Sequence, residues 1–237
     1  MNKLNPQDVA NSFDSEITKL LDYYGRASAS LAGTPTEKLD SSLLAEHVFL
    51  SAAISFEGAL SDLYFAYTNK DASVFIAKKQ TLIQELVKRE FGDWYANKIS
   101  LGATKHIKAD VLYPLLDPRG HNITFYDAKQ MIDRASKNLL PAHAAKYRNL
   151  SISHQKVMNA AKFIRNCIAH RSKSSYDAMM DALVKLQSSN FRGLARSANK
   201  RVNSVGVYLK ASAGTNKPAR IEVYLGELKA IANALGA

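Results

Sequence analysis

The spacing of its apolar residues constrains this chain more than any other feature. Almost everywhere they recur three or four apart, the period of a helix with one face turned to a core. Val9, Phe13, Ile17, Leu20, Leu21 and Tyr24 form the first such stripe, with Asn5 placed to cap it and Pro6 suited to the first helical position. Gly33 to Thr36 break it, and Asp40 or Ser41 is expected to cap a long second helix carrying Phe49, Ala53, Phe56, Leu60, Leu63 and Tyr67, ending near Asn69. A third helix runs from Phe75 to Phe91 and is closed by Gly92. Shorter pieces follow around Trp94 and Leu112, up to a break at Asp117-Pro118-Arg119-Gly120. Further helices are expected over Asp127 to Leu140, from Ser151 or Ser153 through Ile168, and from Ser175 to Ser188. The tail reads as two more, one on Leu194, Ala198, Val202, Val205 and Leu209, the other on Ile221 to Leu235. No strand-like alternation, internal repeat or sustained heptad competes, so the expected fold is an all-α bundle.

At 237 residues, 46% of them hydrophobic, with only 11 Gly and 6 Pro, the chain has the material for one globular domain over residues 1–237. The longest nearly apolar run, Val48 to Phe56, falls far short of the roughly 20 residues that span a bilayer, and no membrane association is expected. The N-terminal residues Met1 to Pro6 lack a leader's apolar stretch, and the single cysteine cannot form an internal disulfide, so the expected location is the cytoplasm. The formal net charge of +11 favours a polyanionic partner without choosing among RNA, DNA and membrane.

The chemically informative segment is Phe163-Ile164-Arg165-Asn166-Cys167-Ile168-Ala169-His170-Arg171-Ser172. On a helix Asn166 and His170 stand one turn apart, Arg165 sits beside Asn166, and Ile164 and Ile168 point to the core. An amide, an imidazole and a guanidinium are thus presented together, followed by Arg171 and Lys173, an arrangement suited to a bound phosphate.

Arg165-Asn166-Cys167-Ile168-Ala169-His170 resembles the signature of HEPN-domain proteins, an Arg, a polar residue favoured as Asn, three further positions and a His. The resemblance extends over about residues 41–188 and is nearest to the ribonucleases of the RiboL-PSP and related prokaryotic defence or toxin groups. It implies a HEPN-like helical bundle with a basic helical extension over about residues 189–237. It also implies an acidic residue on an earlier long helix, here Glu57 in Ser55-Phe56-Glu57-Gly58-Ala59-Leu60.

What the resemblance implies chemically is a metal-independent endoribonuclease, a toxin or antiviral effector, working as a homodimer with a composite active site made from two copies of the motif. The RNA 2′-hydroxyl attacks the adjacent phosphate, and the products carry 2′,3′-cyclic phosphate and 5′-hydroxyl ends. An imidazole with an ordinary pKa of about 6.5 serves as base or acid at neutral pH, and two in one cleft divide the roles. Arg165 would bind the phosphate and stabilise its pentacoordinate state, and Asn166 would orient the phosphate or His170. Glu57, expected to face inward, needs a partner, and Arg165 is the obvious one. Asp62 is a weaker candidate. Some toxins of this kind carry a tyrosine two residues after the histidine, where a partner antitoxin modifies it; Ser172 stands there in this chain, which leaves the antitoxin or defence partner unspecified.

Other residues receive plainer readings. Cys167 reads as a small core thiol. His47, His106, His121, His143 and His154 show no zinc-ligand spacing, and neither metal nor cofactor is expected. Phe91, Trp94 and Tyr95 read as core rather than as base-stacking residues. The stretch from Ala182 to Ile221 has no Asp or Glu, and Arg192, Arg196 and Lys200, with Arg201 beside them, would form a basic helical ridge for an RNA backbone. Two other readings compete: a non-catalytic HEPN module that binds nucleotides or RNA, and a helical scaffold in which Arg165 and His170 merely favour a helix C-terminus.

Overall fold

The computed structural model describes residues 4–102, 104–118, 120 and 122–237; the sequence readings on Met1 to Lys3, Arg119 and His121 fall outside them. The protein is all-α, and among the described residues the only strand-like pairing is an isolated bridge between Ser212 and Ala219.

Asn5 caps α1 (Pro6–Leu31) by accepting a hydrogen bond from the Gln7 backbone N–H at 3.3 Å. The central helix α2 (Glu37–Lys70) begins earlier than expected, with Thr36 as its N-cap residue rather than Asp40 or Ser41. Asp40 sits in the first turn and accepts the Thr36 hydroxyl at 2.5 Å. Helices α1, α5 (Ala109–Leu116), α8 (Ile152–His170), α10 (Val205–Lys210) and α11 (Arg220–Gly236) all pack on α2. The surrounded helix therefore buries residues on several sides, including Phe49, Phe56, Leu63, Tyr64 and Tyr67. By length and composition α2 is also apolar enough to cross a membrane, with a mean hydropathy of 1.4 over its most apolar window and 44% of that window buried. Scanning for uninterrupted apolar runs misses this, because serine and glycine interrupt a run without adding charge.

Helix α3 (Ser73–Phe91) buries only Phe75; Lys78, Lys79 and Leu82 still border α5 and α6 (Ala128–Asn138), and the helix projects beyond them. Gly92, at φ +87°, turns the chain into α4 (Asp93–Ala96), and Gln80 and Gln84 fasten the returning segment to α3 through the Leu101 N–H (3.0 Å) and the Ile99 carbonyl (2.9 Å). The base of this arm is fixed by buried Asn69, whose amide accepts from the Leu4 N–H at 2.9 Å and donates to the Ile107 carbonyl at 2.8 Å. Phe91, Trp94 and Tyr95, expected in the core, are instead 67%, 67% and 56% exposed on the arm. Leu82, Ile83 and Leu86 continue an apolar stripe along α3, but they stay 43%, 37% and 52% exposed because little of the body reaches this far along the helix.

Helices α6 (Ala128–Asn138), α7 (Pro141–Arg148) and α9 (Lys173–Lys185) lie close to their expected places. The first tail helix does not. After a single 3₁₀ turn at Arg192–Leu194 the chain runs without regular helix to Ser204, which caps the short α10. Leu194, Val202 and Leu209 are buried, so the helical spacing recorded real burial by an irregular wrap rich in Ser and Asn. The basic helical ridge therefore does not exist: Arg192, Lys200 and Arg201 are exposed on irregular chain, while half-buried Arg196 lies 4.8 Å from the Tyr208 ring centroid and Arg220 lies 5.1 Å from it. Tyr208, pushed up to about 12 chiefly by burial, shares a 3.0 Å hydrogen bond with buried Tyr224. Nor is the tail wholly an extension, since α11 buries Ile221, Tyr224, Leu225, Leu228, Ile231 and Leu235 against α1, α2, α7 and α8.

Candidate active site at the α2–α8 seam

Ser151 starts α8 by accepting from the His154 N–H at 3.1 Å, and Val157, Ala160, Ala161, Ile164 and Ile168 turn to the core. The helix ends where Arg171 adopts a left-handed conformation at φ +47°. Ser172 and Ser175 then form a capping box that starts α9. The Arg165 to His170 segment is thus the last turn and a half of α8, with its apolar half buried and its polar half toward α2 and solvent.

Two ion pairs tie this segment to α2, Arg165 to Glu57 at 3.2 Å and Arg171 to Glu46 at 3.3 Å, so the helices run antiparallel here. Arg165 and Glu57 are each about a quarter exposed, 26% and 28%, so the pair is sheltered but not sealed. Arg165 also donates to the Asn166 side-chain oxygen at 2.8 Å, while its Nε is buried with no partner among the described residues. The guanidinium is thereby held by two neighbours while some of its donors stay uncommitted. Glu57 is half-buried, turned to Arg165 and to a small cavity beside it; Asp62 is exposed.

His170 is exposed and makes no hydrogen bond among the described residues. Asn166 is half-buried and engaged by Arg165, so the amide and imidazole do not meet within one chain. Lys173 is exposed at the start of α9. Cys167 is buried, and that burial pushes its thiol up, as expected of a core residue rather than a nucleophile.

Two neighbours escaped the sequence reading. Lys162, one turn before Asn166, donates its ammonium to the Phe125 carbonyl. Burial pushes its pKa down, opposed by the Glu57 carboxylate and reinforced by the Arg165 charge. Lys162, Glu57, Asn159 and Phe56 line a small cavity of about 30 Å³, room for a water. Glu46 binds both Arg171 and the Gly206 N–H, the latter at 2.9 Å, and so joins α2, the motif and α10. Its signal was present in the sequence: on a 100° wheel Glu46 and Glu57 fall on the same edge of α2.

Beside that edge, Leu43, His47, Leu50 and Ile54 complete an arc of about 100°. Leu43 and Ile54 are 41% and 50% exposed, so an apolar strip borders the arginine pairs. Among the described residues, no three His, Cys, Asp or Glu side chains group as a metal site requires. No protein-family profile matches the chain, and no curated protein or solved structure matches it either.

Proposed function

We propose that this protein is a metal-independent endoribonuclease of the HEPN type, acting as a homodimer in which two α8 termini form one cleft. The observation that carries this reading is Arg165, fixed between Glu57 at 3.2 Å and Asn166 at 2.8 Å, about a turn and a half before the exposed His170. A guanidinium held in place before substrate arrives matches the charge that develops on a phosphate under attack. His170 supplies the proton-transferring group at the cleft mouth, and the partner's copy supplies the second. The chemistry balances: base removes the 2′-hydroxyl proton, the 2′-oxygen bonds to phosphorus, the 5′-oxygen leaves, and acid protonates it.

A single chain has one such histidine with nothing to orient it, and the strip of Leu43, Leu50 and Ile54 alongside gives a second copy an apolar surface to cover. A toxin or antiviral role belongs to the same proposal and rests on the motif's likeness alone. The test is purified protein with total RNA in EDTA: cleavage by wild type and none by His170→Ala is expected. Binding without cleavage by the wild type would move the reading to a non-catalytic RNA-binding module.

A further inference from the structure

We infer that the α3–α4 arm binds single-stranded RNA, its tip rings stacking on bases and its lysines meeting phosphates; this names where substrate is gripped and rests on the ribonuclease reading above.

The tip carries three exposed rings in a row. Trp94 meets Tyr95 edge-on with centroids 4.9 Å apart, and Phe91 lies 6.2 Å from Tyr95. Large rings left in water on a projecting arm need a partner, since the bundle already has a core to hold them. The turn is fastened at several points: Gly92 sets it, Lys88 bridges to Asp93 at 2.8 Å, and Gln80 and Gln84 clasp the return segment. Stacking costs little ordering on such a surface, and every base offers a π-face.

Charge selects the occupant. Lys98 lies over the Trp94 ring, 5.5 Å from its centroid, a mobile positive charge at the platform that a phosphate can draw off the ring face. Nearer the bundle Lys78, Lys79 and Arg134 line a groove of about 340 Å³ that has no carboxylate in its walls. From Lys78 to Phe91 the helix covers about 20 Å, enough to take several nucleotides. Of the acids along this path, Asp93 is paired with Lys88 and Glu90 with Arg89 at 3.0 Å, which leaves Glu85 as one exposed carboxylate against the lysines.

The same features count against two other occupants. A twofold antiparallel pairing of α3 would cover Leu82, Ile83 and Leu86 but would bring Lys78 and Lys79 near the partner's Lys88 and Arg89. Inserting the tip into a bilayer would strip water from the Lys88–Asp93 and Arg89–Glu90 pairs next to the rings.

Trp94 is the only tryptophan, so its fluorescence reports on the arm directly. The probe is a single-stranded 2′-deoxy oligonucleotide, which cannot be cleaved by 2′-hydroxyl attack, titrated into the full-length protein. Saturable quenching is expected. The Phe91→Ala/Tyr95→Ala double variant, with its melting temperature unchanged, should bind at least about tenfold more weakly. Lys78→Gln/Lys79→Gln should flatten the slope of log affinity against log salt by about 1.4. Cleavage of a dinucleotide too short to reach the arm should be untouched in both. Unchanged oligonucleotide affinity in both variants, or a Trp94 response to phosphatidylserine/phosphatidylcholine vesicles and none to the oligonucleotide, would overturn the inference. Either result leaves the ribonuclease reading standing wherever the wild type still cuts RNA. Conversely, oligonucleotide quenching in a wild type that cuts nothing keeps the arm and removes the ribonuclease.

Discussion

The guanidinium of Arg165 lies 3.2 Å from the carboxylate of Glu57, and the two residues come from helices that run in opposite directions. The pair joins the motif-bearing end of α8 to the central helix, so the orientation of Arg165 is set by the packing of the bundle. It also keeps a half-buried charge from standing alone.

Glu57→Ala leaves Arg165 sheltered without its countercharge. It should lower stability by about 1–2 kcal/mol in urea unfolding, less than a fully buried pair would lose because water reaches both side chains. RNA cleavage should fall in parallel through mispositioning of Arg165. Glu57→Gln, which keeps a hydrogen-bond acceptor, should recover more stability than activity. Equal activity for wild type and Glu57→Ala would show that the pair does not set the arginine's function.

Ile54 is half exposed on the arc of α2 that includes Glu57. Ile54→Glu should leave the circular dichroism spectrum unchanged and convert the proposed dimer to monomer in light scattering, with cleavage lost together with association. A wild type that is a strict monomer at micromolar concentration and fully active would contradict the shared cleft.

Gly206 opens onto α2 so closely that an added Cβ would sit 2.1 Å from the Ser42 carbonyl oxygen. That atom is backbone and cannot swing aside. Gly206→Ala should therefore destabilise by about 1–3 kcal/mol in thermal or chemical unfolding and loosen the Glu46 contacts to the Gly206 N–H and Arg171.

The imidazole of His143 has its pKa pushed down, first by burial and then by the charge of Lys70. As pH falls, the unfolded chain takes up this proton before the folded one does. The contribution is complete above the ordinary histidine pKa of about 6.5 and is lost as pH falls through the lower folded value. Melting temperature should drop between pH 8 and pH 5.5, and His143→Gln should flatten that drop. Identical slopes for both proteins would refute the assignment.

Much of the fold was legible because helix punctuation and burial agreed. Asn5 and Pro6, Gly92, Pro141 and the Ser151 cap all stand where the apolar stripes begin or end. The misses have two causes. In the tail, Leu194 and Val202 are buried at a helix-like interval although the chain between them is irregular, because the Ser and Asn there favour turns; only from Val205 does α10 begin. At the arm, Trp94 and its neighbours are hydrophobic enough for a core, and the apolar stripe of Leu82, Ile83 and Leu86 on α3 cannot reveal that the body leaves it exposed. At the seam, the Arg165–Glu57 pairing could be anticipated from residue types and Glu46 from its place on the same edge of α2, whereas Lys162 depends on how the Phe125 segment lies beside α8.

The central claim is that the Arg165 to His170 segment cuts RNA through its own 2′-hydroxyl. It is tested most directly by incubating the protein with a defined single-stranded RNA in EDTA and identifying the new ends by mass spectrometry. The proposal predicts 2′,3′-cyclic phosphate and 5′-hydroxyl termini from wild type and intact RNA from both His170→Ala and Arg165→Ala. Fragments with 5′-phosphate and 3′-hydroxyl ends, or cleavage by His170→Ala at the wild-type rate, would contradict it.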